Sequence, residues 1–189
     1  MSVLVVGLLV FLGIHSLRIF VPDLRTGVME AHGERAWLLP YTAASILGLV
    51  LIIWGYGLAC LDPALAYSPP ASLRHLAILL LLPVFPLLIA AYVPTRLRVA
   101  VRHPMLLATI LWGIAHLMAN GTLADLALFG GFAVWAAIDW ISAANRPGNG
   151  KIRQPDGWTG DMIAILGGLV IYGLIIGGLH QWLIGVSPL

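Results

Sequence analysis

The sequence predicts an all-α fold, a polytopic membrane helix bundle of about six transmembrane helices in a single domain covering residues 1–189. Hydrophobic residues make up 60% of the chain and charged residues only 10%, against roughly 25% charged residues in a soluble domain. The apolar residues form long continuous runs rather than short alternating segments, which excludes a transmembrane β-barrel. Because only helices or closed barrels satisfy the backbone hydrogen bonds in lipid, these runs are predicted to be helices.

Six apolar segments lie between breaks that contain Pro, Asp, Asn or Gly. They cover residues 3–21, 39–61, 73–93, 105–119, 123–144 and 161–184. Most of them reach the roughly 20 residues that span a hydrocarbon core. The fourth segment is short, so it either begins earlier, at Arg102-His103-Pro104, or is sheltered inside the bundle. Pro83 and Pro86 predict a kink in the third segment.

The basic residues predict the orientation of the bundle. Nine of the ten lie in or beside the first, third and fifth connections, namely Arg18, Arg25, Arg35, Arg96, Arg98, Arg102, Arg146, Lys151 and Arg153. Only Arg74 falls on the other side. The positive-inside rule makes the first side cytoplasmic, so both termini are expected on the non-cytoplasmic side. Membrane topology thus explains the basic residues, and nothing indicates nucleic-acid binding.

Histidines inside the apolar segments are the main candidate functional residues. His15 lies in the first segment and His116 in the fourth, and ionisable residues within spans usually face the bundle interior. Gly113 shares a helix face with His116 and leaves room for a flat ligand or a neighbouring helix. Two neutral imidazoles on different helices are what bis-histidine haem ligation requires, whereas a structural zinc site usually has four protein ligands. Core histidines hydrogen-bonded within the bundle are the alternative.

The predicted depths of the histidines leave a second pairing open. His15 lies toward the cytoplasmic half of the first span and His116 toward the outer half of the fourth, a mismatch of roughly 10 Å at about 1.5 Å per residue. His103 lies closer to His15 in depth, so a His15–His103 pair is the rival geometry. His103 and His116 point in different directions on their helix and cannot serve one site from the same face.

Two further patterns give structural predictions. Asp139 is the only carboxylate well inside a predicted span, and Arg18 and Arg102 are its candidate partners at similar depth. Gly173 and Gly177 form a small-xxx-small pattern in the sixth span, which favours close packing of two helices. Cys60 is the single cysteine, so it cannot form an internal disulfide.

Several stretches of the chain resemble the NnrU family of bacterial membrane proteins. The most specific is Arg102-His103-Pro104-Met105-Leu106 followed by Trp112-Gly113-Ile114-Ala115-His116-Leu117-Met118-Ala119-Asn120-Gly121, and His15-Ser16, Gly33-Glu34-Arg35, Trp54-Gly55-Tyr56 and Gly185-Val186-Ser187-Pro188 also match. The resemblance covers essentially the whole chain. It implies a multi-pass protein of the bacterial inner membrane, linked to denitrification through nitrite and nitric oxide reduction.

The same stretches are similar to plant zeta-carotene isomerase, a membrane haem b enzyme that isomerises a carotenoid double bond. The resemblance implies that His15 and His116 correspond to the haem ligands of that enzyme. Its cysteine near the second ligand is Gly113 here, which argues against a redox-linked ligand switch. Arg102-His103-Pro104 also resembles the motif of membrane isoprenylcysteine methyltransferases, but those enzymes carry downstream glutamates and this chain has none after Glu34.

Three functional hypotheses follow from the sequence. The first is an NnrU-type inner-membrane protein that binds haem b through His15 and His116, with His103 as the rival ligand, and acts in nitrogen-oxide or redox metabolism. The second is a non-enzymatic scaffold or assembly factor for a reductase complex, with structural histidines. The third is an enzyme that modifies an isoprenoid or lipid substrate through the region of Arg102 and His103.

Overall fold

The computed structural model describes residues 1–146, 152 and 154–188, and it confirms the all-helical fold class. The helices are α1 Ser2–Phe20, α2 Pro22–His32, α3 Glu34–Leu61, α4 Ser72–Leu81, α5 Val84–Ala90, α6 Arg96–Val101, α7 Pro104–Ala119, α8 Leu123–Asp125, α9 Gly131–Ala144, α10 Thr159–Leu174 and α11 His180–Ile184. Two wider π-helical turns, Leu126–Gly130 and Ile175–Leu179, join α8 to α9 and α10 to α11.

Five helical stretches are long and apolar enough to cross a membrane. They are Ser2–Phe20, Glu34–Leu61, Ser72–Ala90, Leu123–Ala144 and Thr159–Ile184. The apolar helix α7 has 16 residues, about 24 Å of rise, which is shorter than the roughly 30 Å hydrocarbon core. It begins at Pro104, one residue before the predicted start, and packs against α4, α5 and α9, so that it is partly sheltered inside the bundle. The number of crossings and the orientation of the termini stay predictions.

The connection between the first two spans is helical, which the sequence reading did not predict. Pro22 stands at the first position of α2, where a missing N–H costs nothing, and Asp23 lies in its first turn. None of the residues of α2 is buried. The predicted start of the second span is also wrong by about one turn, because α3 begins at Glu34 and Pro40 lies inside it.

Helices α1 and α3 run antiparallel, and they pack closely because glycines lie at their contacts. A Cβ built on Gly7 would lie 2.6 Å from the backbone nitrogen of Ile52, and one on Gly55 would lie 2.3 Å from that of Leu4. Gly48 stands in the same way against the backbone of Phe11. Real side chains do not reach such distances, so only glycine permits this backbone approach.

Four helices meet at one end of the bundle, which we call the basic end. It comprises the last turn of α1, the start of α3, the start of α7 and the last turns of α9. Arg18 and Asp139 act electrostatically on the Tyr41 hydroxyl there, and Asp139, Arg146 and Arg102 act on His103. Three of the arginines that predicted the orientation, Arg18, Arg102 and Arg146, therefore lie at this end. Lys151 and Arg153 lie outside the described residues.

The third predicted span is broken, as its prolines predict. Helix α4 ends at Leu81 and α5 starts at Val84, with Pro83 between them. Helix α10 packs on α5, where a Cβ on Gly168 would lie 2.3 Å from the backbone nitrogen of Pro86. The prediction for Gly173 and Gly177 is wrong within this chain, because a Cβ on either would meet nothing within 4 Å.

A buried carboxylate joins α10 to α6. Asp161 accepts a hydrogen bond from the Arg96 backbone N–H at 2.8 Å and one from its guanidinium at 3.0 Å. The Asp161 side chain is 9% exposed, whereas that of Arg96 is 46% exposed. The guanidinium also lies 3.5 Å from the centroid of the Trp158 ring.

Replacing Asp161 with alanine is expected to lower the free energy of unfolding by about 1–2 kcal/mol, because the Arg96 backbone N–H loses a buried acceptor. The ion pair itself adds little, since the guanidinium is half in solvent. The exposed Asp62 at the end of α3 provides the control substitution Asp62→Ala. Thermal unfolding in detergent, followed by circular dichroism, measures both. Equal stability of the two variants would contradict the joining role of Asp161.

Candidate functional site

His15 lies among aromatic side chains near the basic end of α1. Its ring stacks on Phe11 with 4.3 Å between the ring centroids. It meets Tyr41 of α3 at 5.4 Å and Trp135 of α9 at 6.0 Å, the latter edge-on. The side chain is half-buried. His15 therefore faces the contact of α1 with α3 and α9 rather than the lipid.

His116 lies near the opposite end of α7, against the first π-helical turn. Its ring stacks on Phe129 at 4.4 Å between centroids and meets Trp112 at 5.0 Å. Gly113 is buried, and a Cβ there would lie 2.6 Å from the Phe129 carbonyl oxygen. Of the two roles that the sequence left open for Gly113, the structure shows the close approach of a neighbouring helix. Such π-turns occur frequently at functional sites.

The two histidines have the same hydrogen-bonding pattern. His15 Nδ1 lies 2.6 Å from the Phe11 carbonyl oxygen and His116 Nδ1 lies 2.8 Å from the Trp112 carbonyl oxygen. A carbonyl oxygen only accepts, so each Nδ1 carries the proton and donates it. In the neutral imidazole each Nε2 then carries a free lone pair. This is the tautomer of a metal-ligating histidine whose other nitrogen is held by a backbone carbonyl.

The side chains of His15 and His116 point toward each other along the bundle. Each contacts the aromatic residue one turn before it, and the two helices run in opposite directions, so the rings lean toward a common level. On the fifth span His116 contacts Phe129 and His15 contacts Trp135, six residues apart. Six residues correspond to about 9 Å of helix rise, which agrees with the offset expected from the sequence.

Three rings connect the histidines. Phe11 of α1 lies 5.7 Å from Phe132 of α9, and Phe132 lies 5.9 Å from Trp112 of α7. A continuous chain of ring contacts therefore runs from His15 through Phe11, Phe132 and Trp112 to His116. All three intervening rings are half-buried. We call these three residues the aromatic layer.

The chemistry of the donor set suits a haem better than a bare ion. Among the residues that the structure describes, no group of three or more His, Cys, Asp and Glu is placed to hold a metal ion. A porphyrin supplies four nitrogens itself and leaves two axial positions, so two imidazoles complete it. Both Nε2 atoms must approach within about 4 Å of each other, given metal–imidazole distances of about 2 Å. The two donors fit in kind, whereas the rings of the aromatic layer occupy the interval that a shared haem would need.

His103, the rival ligand, belongs to the basic end. It precedes the first residue of α7, and its Nε2 is buried without a hydrogen-bond partner. Burial lowers the pKa of His103 below its ordinary value, Arg146 and Arg102 lower it further, and Asp139 partly offsets them. No ring contact joins His103 to His15 or His116 among the described residues, and the pairing of His15 with His103 stays a prediction.

The predicted partners of Asp139 are wrong. Its carboxylate pairs with Arg146, seven residues later, at 2.5 Å, and Arg146 also donates to Ser142 at 3.0 Å. The prediction of Arg18 and Arg102 rested on similar depth in different helices. The chain turns back just after α9 ends, so Arg146 lies against the same helix that carries Asp139.

A buried carboxylate that the sequence reading missed lies at the opposite end of the bundle. Asp125 is 4% exposed and accepts hydrogen bonds from the Tyr56 hydroxyl at 2.7 Å, the Thr122 N–H at 2.8 Å and the Thr122 hydroxyl at 2.7 Å. Thr122 in turn accepts from the Asp125 N–H, which completes a capping box. The Thr-x-x-Asp spacing before an apolar run is a signal that could have revealed the cap, whereas no sequence pattern points to Tyr56.

Comparison with known proteins bears on the whole chain rather than on single residues. A family model described as NnrU protein matches residues 3–188. The chain belongs to the NnrU family. No curated protein and no solved structure matches it. For this NnrU-family protein, the resemblance carried by Arg102-His103-Pro104 and by the stretch around His116 is confirmed as family membership, and the apolar helices fit a multi-pass membrane protein.

Proposed function

We propose that this NnrU-family protein binds haem b through His15 and His116 and acts in redox metabolism of the bacterial inner membrane, with nitrogen oxides as the implied substrates of the pathway it serves. The observation that carries the proposal is the shared state of the two histidines. Each donates its Nδ1–H to a backbone carbonyl and keeps its Nε2 lone pair free. A bound haem supplies one-electron chemistry at its iron.

The surroundings of both histidines support a hydrophobic, planar ligand. Phe11, Tyr41 and Trp135 line one imidazole, and Trp112 and Phe129 line the other. Apolar and aromatic walls with a few placed polar groups are typical of cofactor sites.

Phenylalanine substitutions at the two histidines test the proposal directly. His116→Phe keeps a ring to stack on Phe129 and removes only the nitrogen donors, and His15→Phe does the same beside Phe11. Wild-type protein supplied with haem is expected to hold about one haem per chain. Each variant is expected to bind haem more than about tenfold more weakly, because loss of a mere supporting partner already costs 10–100-fold. Haem is quantified against protein in detergent-purified samples.

Two controls make the ligand assignment specific. His75 is exposed near the start of α4, so His75→Phe is expected to keep full haem content. His103→Phe is also expected to keep it. Loss of haem in His103→Phe together with its retention in His116→Phe would overturn the assignment in favour of the rival pair of His15 and His103.

A colourless wild-type preparation, still colourless after expression with haem supplied, would overturn the proposal. The remaining functions would then be a scaffold for a reductase complex or an enzyme acting on an isoprenoid or lipid. Co-purification with a reductase distinguishes the first, and turnover of an added polyene that His103→Ala abolishes distinguishes the second.

A further inference from the structure

The short helix α6 is fixed against the bundle at its first turn. Thr95, which precedes it, is fully buried, and its hydroxyl accepts a hydrogen bond from the Arg98 N–H at 2.9 Å. The Asp161 carboxylate of α10 accepts two hydrogen bonds from Arg96, one of them from its backbone N–H. The position of α6 is therefore set by its own cap and by a contact with α10.

Two arginines lie one turn apart beside the apolar face of α6. Leu97 and Val101 form that face and pack against a buried apolar cluster of α5 and α7. Arg98 and Arg102 each follow one of these two residues in the chain. The Arg102 N–H donates to the Arg98 carbonyl oxygen at 2.8 Å, so the two arginines are joined across one helical turn. Arg102 is exposed and Arg98 is partly exposed, so both side chains begin at the surface within reach of one ligand.

The charges of these two arginines are not compensated by any carboxylate in the described part of the chain. The ion pairs between described residues join Arg96 to Asp161 and Arg146 to Asp139, and neither includes Arg98 or Arg102. Like charges one turn apart on a helix repel each other and destabilise it. An anion bound between the two guanidiniums would offset this repulsion.

Exposed aromatic side chains flank α6 along the chain. Tyr92, which follows α5, is 76% exposed, and Trp158, which precedes α10, is 68% exposed. The centroid of the Trp158 ring lies 3.5 Å from the Arg96 guanidinium. Tyrosine and tryptophan at the ends of apolar spans are typical of the membrane–water interface. Their positions favour a location of α6 among the lipid headgroups, where phospholipid phosphate is the abundant anion.

We propose that Arg98 and Arg102 bind the phosphate of an anionic phospholipid at the corner between α6 and α7. Guanidinium groups donate paired, charge-assisted hydrogen bonds to phosphate oxygens. A zwitterionic headgroup carries its own ammonium group, which opposes binding beside two arginines, whereas the headgroup of phosphatidylglycerol carries only the negative charge. The site therefore selects lipids by headgroup charge. It goes beyond the proposed haem function and does not depend on it.

Lipid titration of the full-length protein tests this inference. The protein in dodecyl maltoside micelles is titrated with dioleoylphosphatidylglycerol and, separately, with dioleoylphosphatidylcholine, and bound lipid is counted by native mass spectrometry. One basic side chain near an anionic lipid contributes about fivefold in affinity, so two arginines predict a preference of about 25-fold for phosphatidylglycerol. The Arg98→Gln/Arg102→Gln protein is expected to lose this preference. Arg102→Gln alone, at an exposed position where the fold is not disturbed, is expected to lower it about fivefold.

The matched control is the Arg25→Gln/Arg35→Gln protein, which loses the same charge from two exposed arginines on α2 and α3 and is expected to keep the wild-type preference. Equal loss of preference in both double variants would show a general attraction to the basic surface and would overturn the site. Equal affinity of the wild type for the two lipids would overturn it as well. Displacement of phosphatidylglycerol by millimolar inorganic phosphate would assign the two arginines to a soluble anion and contradict the lipid assignment.

Discussion

Leucine in place of Gly55 is expected to separate the first two spans and to prevent normal folding. The Cβ of any residue at this position would lie 2.3 Å from the backbone nitrogen and 2.6 Å from the Cα of Leu4. The clash is with backbone, so no side-chain rotation relieves it, and α1 has to move away from α3. Overpacking of this kind typically costs 1–3 kcal/mol, and a value of about 3 kcal/mol or more is expected here.

The contact of α1 with α3 also positions the site, so the Gly55→Leu protein is expected to lose haem as well as stability. Gly57, two residues later, provides a matched control because a Cβ there meets nothing within 4 Å. Gly57→Leu is expected to be as stable as the wild type or slightly more so, given the better helix propensity of leucine. The fraction of monodisperse protein after heating in detergent measures both variants. Similar behaviour of the two would contradict the packing of α1 on α3.

Alanine in place of Asp125 is expected to destabilise the bundle by about 3 kcal/mol, the second large effect. The carboxylate is 4% exposed and receives three hydrogen bonds. Its removal leaves the Tyr56 hydroxyl and the Thr122 N–H without their acceptor in an apolar environment, and each such group costs about 1–3 kcal/mol. Tyr56→Phe removes one hydrogen-bond donor, and the Asp125 carboxylate keeps its hydrogen bonds from Thr122. This substitution is therefore expected to cost only about 1 kcal/mol.

A double-mutant cycle isolates the interaction between α3 and the cap. Tyr56→Phe in the Asp125→Ala background is expected to be nearly neutral or favourable, because the stranded hydroxyl is removed. The coupling energy is therefore expected to exceed about 0.5 kcal/mol, as for residues in contact. Chemical unfolding in mixed micelles provides the free energies. Additive effects of the two substitutions would show that the hydrogen bond contributes nothing.

The spans were predictable from sequence because lipid imposes a simple requirement on the chain. The predicted fifth span matches Leu123–Ala144 at both ends, and the sixth differs from Thr159–Ile184 only at its start. Composition alone carries this information, since every backbone group must be satisfied within the segment. The helix α2 and the early start of α3 were missed because these segments are rich in charged residues, so that apolar content does not mark them as helical.

The candidate site was predictable only in part. His15 and His116 stand out as imidazoles within apolar segments, and their depth offset follows from counting residues. Their common tautomer and the ring contacts between them depend on side-chain packing across three helices, which no single segment encodes. The π-helical turn that holds Phe129 against His116 also has no sequence signal comparable to that of a proline or a cap.

The pairing of charges shows the same limit. Asp139 was recognised as costly in a span, but its partner Arg146 follows the end of α9 and became available only through the local turn of the chain. Asp125 and Asp161 were overlooked because they stand at the first turns of their spans, where a carboxylate is expected to be solvated. Both are buried by neighbouring helices that the sequence does not place.

The most direct test of the central claim is the electron paramagnetic resonance spectrum of the ferric protein carrying one equivalent of haem. Two imidazole ligands from separate spans predict a low-spin ferric signal in the wild type, and the loss of one ligand predicts conversion to a high-spin signal in both His15→Phe and His116→Phe. A high-spin wild-type spectrum, or a low-spin spectrum that persists unchanged in His116→Phe, would contradict ligation by these two histidines.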